Sequence, residues 1–159
     1  MFYDYFETGV IGPLTLVADE KGLRHIAFHT SRHPVRIKDD WEQNSSFFTE
    51  VKTQLRAYFD GKLKTFKLPL VPMGTDFQKR VWRTLKQIPY GTVTSYQWVA
   101  EKIGNPKAVR AVGGANGKNP LPIVIPCHRV IGRNGSLIGF GGGLDIKARL
   151  IKLEKRFAE

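Results

Sequence analysis

The chain of 159 residues predicts an α+β fold, in which a small N-terminal α/β domain with a β-sheet precedes a mainly helical, winged-helix-like C-terminal domain. Two observations support this prediction. Short runs of aromatic and β-branched residues, broken by Gly and Pro, fill the first 30 residues, whereas the second half has apolar residues at helical spacing. A Lys- and Pro-rich stretch at about 62–74 predicts the linker, so the domains are 1–70 and 75–159.

The N-terminal domain is predicted to contain three strands and one helix. The strands are expected at 2–7, 14–18 and 23–29, where Gly12-Pro13 and Gly22 provide the breaks. Apolar residues then recur at helical spacing up to Phe59. This pattern predicts a helix that begins at Ser45 or Ser46 and ends before Gly61.

The C-terminal domain is predicted to begin with a capped helix. Thr75 and Gln78 have the spacing of a capping box, and the buried stripe that follows continues until Pro89. After a turn, a second helix is expected from Thr94 or Ser95 to Gly104.

A third helix is predicted at 106–115, with Asn105 as its cap and Pro106 at its first position. Because a tight Gly-Asn turn joins it to the preceding helix, the pair is predicted to be a helix-turn-helix. A last helix is expected at about 143–157.

The charge of the chain is strongly uneven. The net charge is +11, yet residues 1–46 carry five Lys and Arg against seven Asp and Glu. Residues 47–159 carry twenty against seven, and 79–129 nine against one. Positive charge concentrated in one part of the chain attracts polyanions. A solvated basic surface that binds no partner would have the same number of basic residues and is the alternative. No window is apolar enough to span a membrane, and the acidic, aromatic N-terminus is unlike a signal peptide.

The predicted helix 106–115 has two different faces. Small and apolar residues gather on one side, and the other side carries Lys107, Arg110, Gly113 and Gly114. Glycine inside a helix costs roughly 1 kcal/mol relative to alanine, so two together require a reason. Close approach of a nucleic-acid backbone is one explanation, and close packing of another helix or a frayed last turn is the alternative.

Cys127 is the only cysteine, and it lies in the run "PIVIPCHRVIG". We interpret "IVI" as a short buried strand that ends at Pro126, followed by a turn that carries Cys127, His128 and Arg129. A free thiol is mostly protonated at neutral pH, but an imidazole and nearby cations can activate it. A buried structural cysteine is the alternative. One cysteine allows no internal disulfide and no cysteine-rich zinc site, which is typical of a reducing compartment.

Glu154 lies on the apolar stripe of the last predicted helix, beside Leu150 and Ile151. A carboxylate there requires a partner. An imidazole would satisfy it and give a Cys–His–Glu arrangement, whereas a contact with basic neighbours on the same helix is the alternative.

The segment "IPCHRVI", preceded by "RAVGGANGKNPLPIVI" and followed by "GFGGGLDIKARLIKLE", resembles the methylated-DNA–protein-cysteine methyltransferases, or O6-alkylguanine-DNA alkyltransferases. The resemblance is dense over 75–159. It implies that Cys127 accepts the alkyl group, that His128 acts as a base through one water, and that Glu154 holds the histidine. Tyr96, in "TSYQWVA", corresponds to the tyrosine that donates a proton to guanine N3.

The resemblance also implies how DNA is bound. Arg110 corresponds to the arginine that fills the space of a flipped base, and Asn119 to the hinge asparagine between the recognition helix and the active-site turn. The paired glycines fall on the face that family members press against DNA. We count Tyr96, Lys107 and Arg129 among the predicted DNA contacts.

The implied activity is direct, irreversible transfer of an alkyl group from O6-alkylguanine, and from O4-alkylthymine, to Cys127, once per molecule. The expected partner is double-stranded DNA, bound in the minor groove with a flipped base. No cofactor, metal or membrane is expected, and a cytoplasmic monomer is predicted. Gly141 stands where some members have a substrate-binding serine, and Asn116 occupies a variable position near the pocket.

Three other functions are alternatives to this one. A non-catalytic lesion-binding relative would carry tryptophan in place of Cys127. A cysteine hydrolase would turn over many substrate molecules, without salt-dependent DNA binding. A winged-helix regulator would be expected to dimerise, and no dimer seam is evident in the sequence.

Overall fold

The computed structural model describes residues 1–30, 35–132, 135 and 143–158. The N-terminal domain contains a four-stranded sheet in the order β3-β2-β1-β4. Strands β1 to β3 pair antiparallel and β4 runs parallel to β1. The strands are β1 (Phe2–Glu7), β2 (Pro13–Asp19), β3 (Gly22–Phe28) and β4 (Glu42–Gln43). The three strand predictions are therefore confirmed within one residue at each end.

Helix α1 (Thr49–Phe59) follows a single 3-10 turn at Ser46–Phe48. The predicted helix is thus confirmed, but its first turn is wound more tightly. Ser45 has helical backbone angles, with φ −61° and ψ −43°. An N-cap residue has an extended backbone, so Ser45 is part of this turn rather than its cap.

The stretch that we predicted as a linker pairs with the edge of the sheet. The Leu23 amide donates to the Pro69 carbonyl at 2.9 Å, and the Val71 amide donates to the Leu23 carbonyl at 2.9 Å. Gly22 has a φ of +150°, and a Cβ there would lie 2.5 Å from the Pro69 oxygen. The close approach of the two backbones therefore requires glycine at this position.

Among its described residues, the C-terminal domain contains four α-helices, α2 (Asp76–Leu85), α3 (Tyr96–Lys102), α4 (Val109–Gly117) and α5 (Leu144–Phe157). The capping box is confirmed, because the Thr75 side chain accepts from the Gln78 amide and the Gln78 side chain accepts in return. Helix α2 ends at Leu85, earlier than the predicted end at Pro89.

Helix α4 begins at Val109, three residues after the predicted start. The Ala108 amide instead donates to the Asn105 carbonyl at 3.0 Å, which closes a turn. Asn followed by Pro is as typical of the first two positions of a type I turn as it is of a helix start. The predicted pair of helices is present as α3 and α4. Helix α2 contacts α4 through the Trp82 indole N–H, which donates to the Ala115 carbonyl at 2.9 Å.

One contiguous cluster of buried apolar side chains extends through both domains. It includes Phe48 and Leu55 from the N-terminal domain and Val81, Leu85 and Val112 from the C-terminal domain. The α+β fold class is confirmed. Within the described ranges, no helix is long and apolar enough to cross a membrane.

Candidate active site and DNA interface

The segment before Cys127 is a series of turns, so the prediction of a short strand at "IVI" is wrong. The Ile125 amide donates to the Leu121 carbonyl at 2.8 Å, and Ile123 has a φ of +76°. Pro122 and Pro126 have no amide hydrogen, so a regular strand ladder cannot continue here. A short apolar run between prolines does not distinguish a strand from a buried turn. The positive φ of a β-branched residue stores backbone strain in this loop.

Asn119 replaces the backbone hydrogen bonds that a strand would have provided. Its Nδ2 donates to the Ile125 carbonyl at 2.8 Å, and its Oδ1 accepts from the Leu121 amide at 3.0 Å. The structure thus places Asn119 between the end of α4 and the loop that leads to Cys127. A single 3-10 turn, Cys127–Arg129, follows this loop.

A pair of two-residue strands brings Tyr96 close to this turn. β5 (Thr94–Ser95) runs parallel to β6 (Val130–Ile131), with Thr94 opposite Val130 and Ser95 opposite Ile131. Because Tyr96 directly follows β5 and Arg129 directly precedes β6, the pairing fixes the start of α3 beside the 3-10 turn. Ser95 caps α3 by accepting from the Trp98 amide at 3.0 Å.

Cys127 is buried, with 3% of its surface exposed. Burial raises the pKa of its thiol to about 11, while a hydrogen bond from Asn119 and the charge of Lys147 act in the opposite direction. The Asn116 side chain donates to the Cys127 carbonyl at 3.3 Å and is hydrogen-bonded to Tyr96. Burial, and then the neighbouring thiol, raise the pKa of Tyr96 to about 12, so its hydroxyl remains protonated at neutral pH.

His128 and Glu154 form a buried pair. The Nε2 atom of His128 lies 2.6 Å from Oε2 of Glu154, and the two side chains are 0% and 2% exposed. Burial lowers the pKa of His128, so the ring is neutral and Nε2 is the nitrogen that donates. Burial alone would raise the pKa of Glu154, but the hydrogen bonds from His128 and Arg129 and the charge of Arg129 keep it well below its usual range. The alternative partners for Glu154, basic residues on its own helix, are not needed to explain its burial.

Arg129 is buried against the same carboxylate. Its Nε donates to Oε1 of Glu154 at 2.8 Å, its Nη2 to Oε2 at 3.1 Å, and its Nη1 to the Ile88 carbonyl at 2.7 Å. The expectation that Arg129 contacts DNA is therefore wrong, because its guanidinium is buried in this ion pair. Its charge stabilises Glu154 and is not directed at the thiol.

Lys147 is a residue of the site that the sequence analysis missed. Its side chain is fully buried, and Nζ lies 5.8 Å from the centre of the Tyr96 ring. Burial lowers the pKa of Lys147 to about 8, and the neighbouring Cys127 partly opposes this change. Lys147 lies seven residues before Glu154 and three before Leu150, so helical spacing already placed it on the buried stripe of α5.

The predicted DNA-binding residues of α4 lie on an open surface. Lys107, Arg110 and Gly114 are exposed, and Gly113 is half-buried. A Cβ added at Gly113 or Gly114 would meet no atom of the described residues within 4 Å. The helix continues to Gly117, so the two glycines are neither a packing surface for another helix nor a frayed end.

The part of the chain that the structure describes contains no group of three His, Cys, Asp or Glu residues that could hold a metal ion. Gly141, where some members of the family in the resemblance have a serine, lies outside the described residues.

The fold and the site together define a two-domain protein with one buried free thiol beside a helix-turn-helix. Two family models match the chain. The 6-O-methylguanine DNA methyltransferase ribonuclease-like domain matches residues 1–72, and the DNA binding domain of the same family matches 76–156.

Named relatives and solved structures agree with these matches. The methylated-DNA–protein-cysteine methyltransferase of Methanosarcina acetivorans is 52% identical, over 97% of this chain and 98% of the relative. That of Haemophilus influenzae is 41% identical, over 98% and 87%. A crystal structure of Mycobacterium tuberculosis OGT in complex with DNA has a TM-score of 0.91 and 43% identity, and the match covers 99% of this chain and 94% of that one. The chain belongs to the 6-O-methylguanine DNA methyltransferase family.

Proposed function

We propose that this protein repairs DNA by transferring an alkyl group from O6 of guanine to Sγ of Cys127. The observation that carries the proposal is the arrangement around the thiol. Cys127 lies within electrostatic reach of Lys147 and Tyr96, and the next residue, His128, is held by Glu154. Membership of a family whose named relatives are methylated-DNA–protein-cysteine methyltransferases supports the same reaction.

The proposed reaction is a direct displacement at the alkyl carbon. The Cys127 thiol transfers its proton to Nδ1 of His128 through one water, and the thiolate attacks the alkyl carbon. An S–C bond forms, the C–O6 bond breaks, and its electron pair remains on the guanine. The Tyr96 hydroxyl, which stays protonated at neutral pH, donates to N3 of the leaving base. The product is a thioether, so each molecule acts once.

His128 suits the role of proton acceptor in two respects. Its Nε2 is occupied by Glu154, and its buried Nδ1 has no hydrogen-bond partner among the residues that the structure describes. A neutral imidazole that donates through Nε2 is an acceptor at Nδ1. Glu154 thereby selects the tautomer that can receive the proton, as the acidic residue of a catalytic triad does.

The proposed partner is duplex DNA, approached from the minor groove by the open face of α4. Lys107 and Arg110 supply positive charge there, and Gly113 and Gly114 allow the DNA backbone to come close. The alkylated guanine must leave the stack to reach a buried thiol, and Arg110 is proposed to fill the space that it leaves. The related Mycobacterium tuberculosis OGT has been crystallised in complex with DNA.

The remaining parts of the proposal concern the second substrate, the oligomeric state, the location and the roles of the two domains. We infer activity on O4-alkylthymine as well, action as a monomer in the cytoplasm, and no need for a cofactor. We propose that residues 1–70 form the N-terminal domain. The C-terminal domain, 75–159, is proposed both to bind DNA and to carry the acceptor thiol.

The test uses a duplex that carries a radiolabelled methyl group on guanine O6. We expect the label to move to Cys127 with one equivalent per protein molecule, and Cys127→Ser to accept none. Label on another residue, label released into solution, or more than one equivalent would contradict the proposed reaction.

A further inference from the structure

The carboxylate of Glu154 accepts hydrogen bonds from several parts of the chain. Oε2 accepts from the Tyr58 hydroxyl at 2.6 Å, from His128 at 2.6 Å and from Arg129 at 3.1 Å. Oε1 accepts from Arg129 at 2.8 Å and from the Gly91 amide at 3.3 Å. Tyr58 and His128 therefore share one oxygen atom.

Tyr58 is the one of these donors that the N-terminal domain supplies. It lies in the last turn of α1, 96 residues before Glu154, and its side chain is fully buried. Burial, and then the neighbouring Glu154, raise the pKa of Tyr58 well above its usual value, so the hydroxyl is protonated and donates.

The direction of this hydroxyl is fixed by packing. The Tyr58 ring lies 5.1 Å from the ring of Phe59, 5.4 Å from that of Phe66 and 6.3 Å from that of Tyr90, measured between centroids. These contacts restrict the ring on several sides. The hydroxyl is therefore held in place before any substrate binds.

The N-terminal domain reaches the active-site loop at a second point. The Ile26 amide, on the edge strand β3, donates to the Pro120 carbonyl at 2.9 Å. Pro120 follows Asn119, whose side chain holds the loop before Cys127. The N-terminal domain thus supports the loop before Cys127 through Ile26 and the carboxylate behind His128 through Tyr58.

We propose that Tyr58 is a positioning residue for alkyl transfer, by which the N-terminal domain fixes Glu154 in the orientation that accepts from Nε2 of His128. With the carboxylate fixed, His128 presents Nδ1 as the acceptor for the thiol proton. The inference rests on the roles that the proposed function gives to His128 and Glu154.

The test variant is Tyr58→Phe, which removes the hydroxyl and keeps the ring. The rate constant for methyl transfer at saturating methylated duplex is expected to fall about tenfold, as for the loss of a hydrogen bond to a charged group. The duplex concentration at half-saturation should not change, because Tyr58 is buried in α1 and is not part of the open face of α4. A loss of less than twofold would overturn the inference.

Tyr90→Phe is the matched control. Its ring packs against Tyr58, and its buried hydroxyl has no hydrogen-bond partner among the described residues. We expect its transfer rate to equal that of the parent protein. If the two variants lose the same activity, the effect is one of packing, and the inference is wrong. Thermal unfolding of both variants fixes a temperature at which each is fully folded for the rate measurement.

A double-mutant cycle separates positioning from general destabilisation. If the hydroxyl acts through the carboxylate, Tyr58→Phe should cause no further loss of rate in the Glu154→Gln background. Additive losses would contradict the inference. If Glu154→Gln alone leaves the rate unchanged, the proposed role of Glu154 fails as well; if only Tyr58→Phe leaves it unchanged, the proposed function stands and this inference fails.

Discussion

At Cys127, burial and charge have opposite effects on the same thiol. Burial outweighs the neighbouring groups, so its pKa is about 11 and almost no thiolate is present at neutral pH. The Asn119 hydrogen bond and the Lys147 ammonium favour the anion. The reactivity of the Cys127 thiol therefore depends on its neighbours. Among them, Lys147 carries a charge that a single substitution can remove.

Lys147→Met is expected to slow alkyl transfer at pH 7 about fivefold to tenfold, because the positive charge that favours the Cys127 thiolate is lost. Lys147 has a pKa of about 8, so its ammonium is present below that pH and is lost above it. The ratio of the parent rate to the variant rate should therefore decrease as the pH rises through 8. Transfer from the free base O6-benzylguanine measures this without a contribution from DNA binding.

Lys152→Met is the control for this experiment, because Lys152 is exposed on the same helix. It should leave the rate unchanged at every pH. A parent-to-variant ratio for Lys147→Met that stays constant between pH 6 and 9 would show that its charge does not act on the thiol.

At the scale of single residues, the sequence indicated candidate site residues but not every partner. Residue type and helical spacing made Cys127, His128 and Glu154 candidates, the family resemblance gave them roles, and the structure brings His128 and Glu154 together. The prediction that Arg129 contacts DNA is wrong. Arginine in a basic region is typical of a DNA-binding surface, whereas the guanidinium of Arg129 lies against a buried carboxylate. Lys147 was missed because a lysine on a helix is ordinarily solvent-exposed.

Among the elements, α4 combines weak helix propensity with an open face. Gly113 and Gly114 lie inside the helix, and methyl groups added there would meet no atom in the described part of the chain. Nothing within the described fold therefore requires glycine at these two positions. The requirement is expected to come from the DNA.

Gly114→Ala is expected to stabilise the protein and weaken DNA binding. Alanine in place of glycine in a helix contributes about 0.5–1 kcal/mol to the free energy of unfolding. The added methyl group lies where the DNA backbone is proposed to approach, so the affinity for a duplex should fall severalfold. Urea denaturation and fluorescence anisotropy with a labelled duplex measure the two effects.

Thr53→Ala in α1 is the matched variant, since Thr53 is exposed on a helix outside the proposed interface. It should leave the affinity for the duplex unchanged. Unchanged affinity in Gly114→Ala would place the DNA on another face of the molecule.

The strands and helices could be predicted closely because local patterns determine them. Each strand segment either alternates between apolar and polar residues or is apolar throughout, and Gly and Pro separate the segments. The capping box at Thr75 fixes the start of α2. The turn at Asn105 and the turns before Cys127 were mispredicted because their signals fit two structures equally. In both cases proline allows a helix start or strand end as readily as a turn.

Over the whole molecule, Glu154 connects the two domains through a buried charge. Such a carboxylate gives stability only while it is ionised. Its folded pKa lies below the unfolded value of about 4.3, so its contribution is complete above that pH and decreases as the pH falls further.

Glu154→Gln is expected to lower the free energy of unfolding by about 3 kcal/mol at pH 7, because the buried Arg129 charge loses its partner. The difference between the parent protein and the variant should shrink as the pH is lowered from 5 to 2. Urea denaturation at several pH values tests this. A difference that does not depend on pH would show that the carboxylate is not the ionised partner of Arg129.

The domain contacts themselves could not be predicted from the sequence. Tyr58 falls within the predicted helix that ends before Gly61, but its hydroxyl donates to a carboxylate 96 residues away. Likewise, nothing near Ile26 indicates that its amide pairs with Pro120. Such pairings depend on how two separately patterned units pack, which local periodicity does not encode.

The central claim, that one thiol keeps the alkyl group it removes, is tested most directly by mass spectrometry after incubation with O6-benzylguanine. We predict one benzyl group per molecule, located on the peptide that contains Cys127, with guanine as the released product and no further reaction when more substrate is added. Continuous release of benzyl alcohol, as a cysteine hydrolase would give, or a benzyl group on any other residue, would contradict the account.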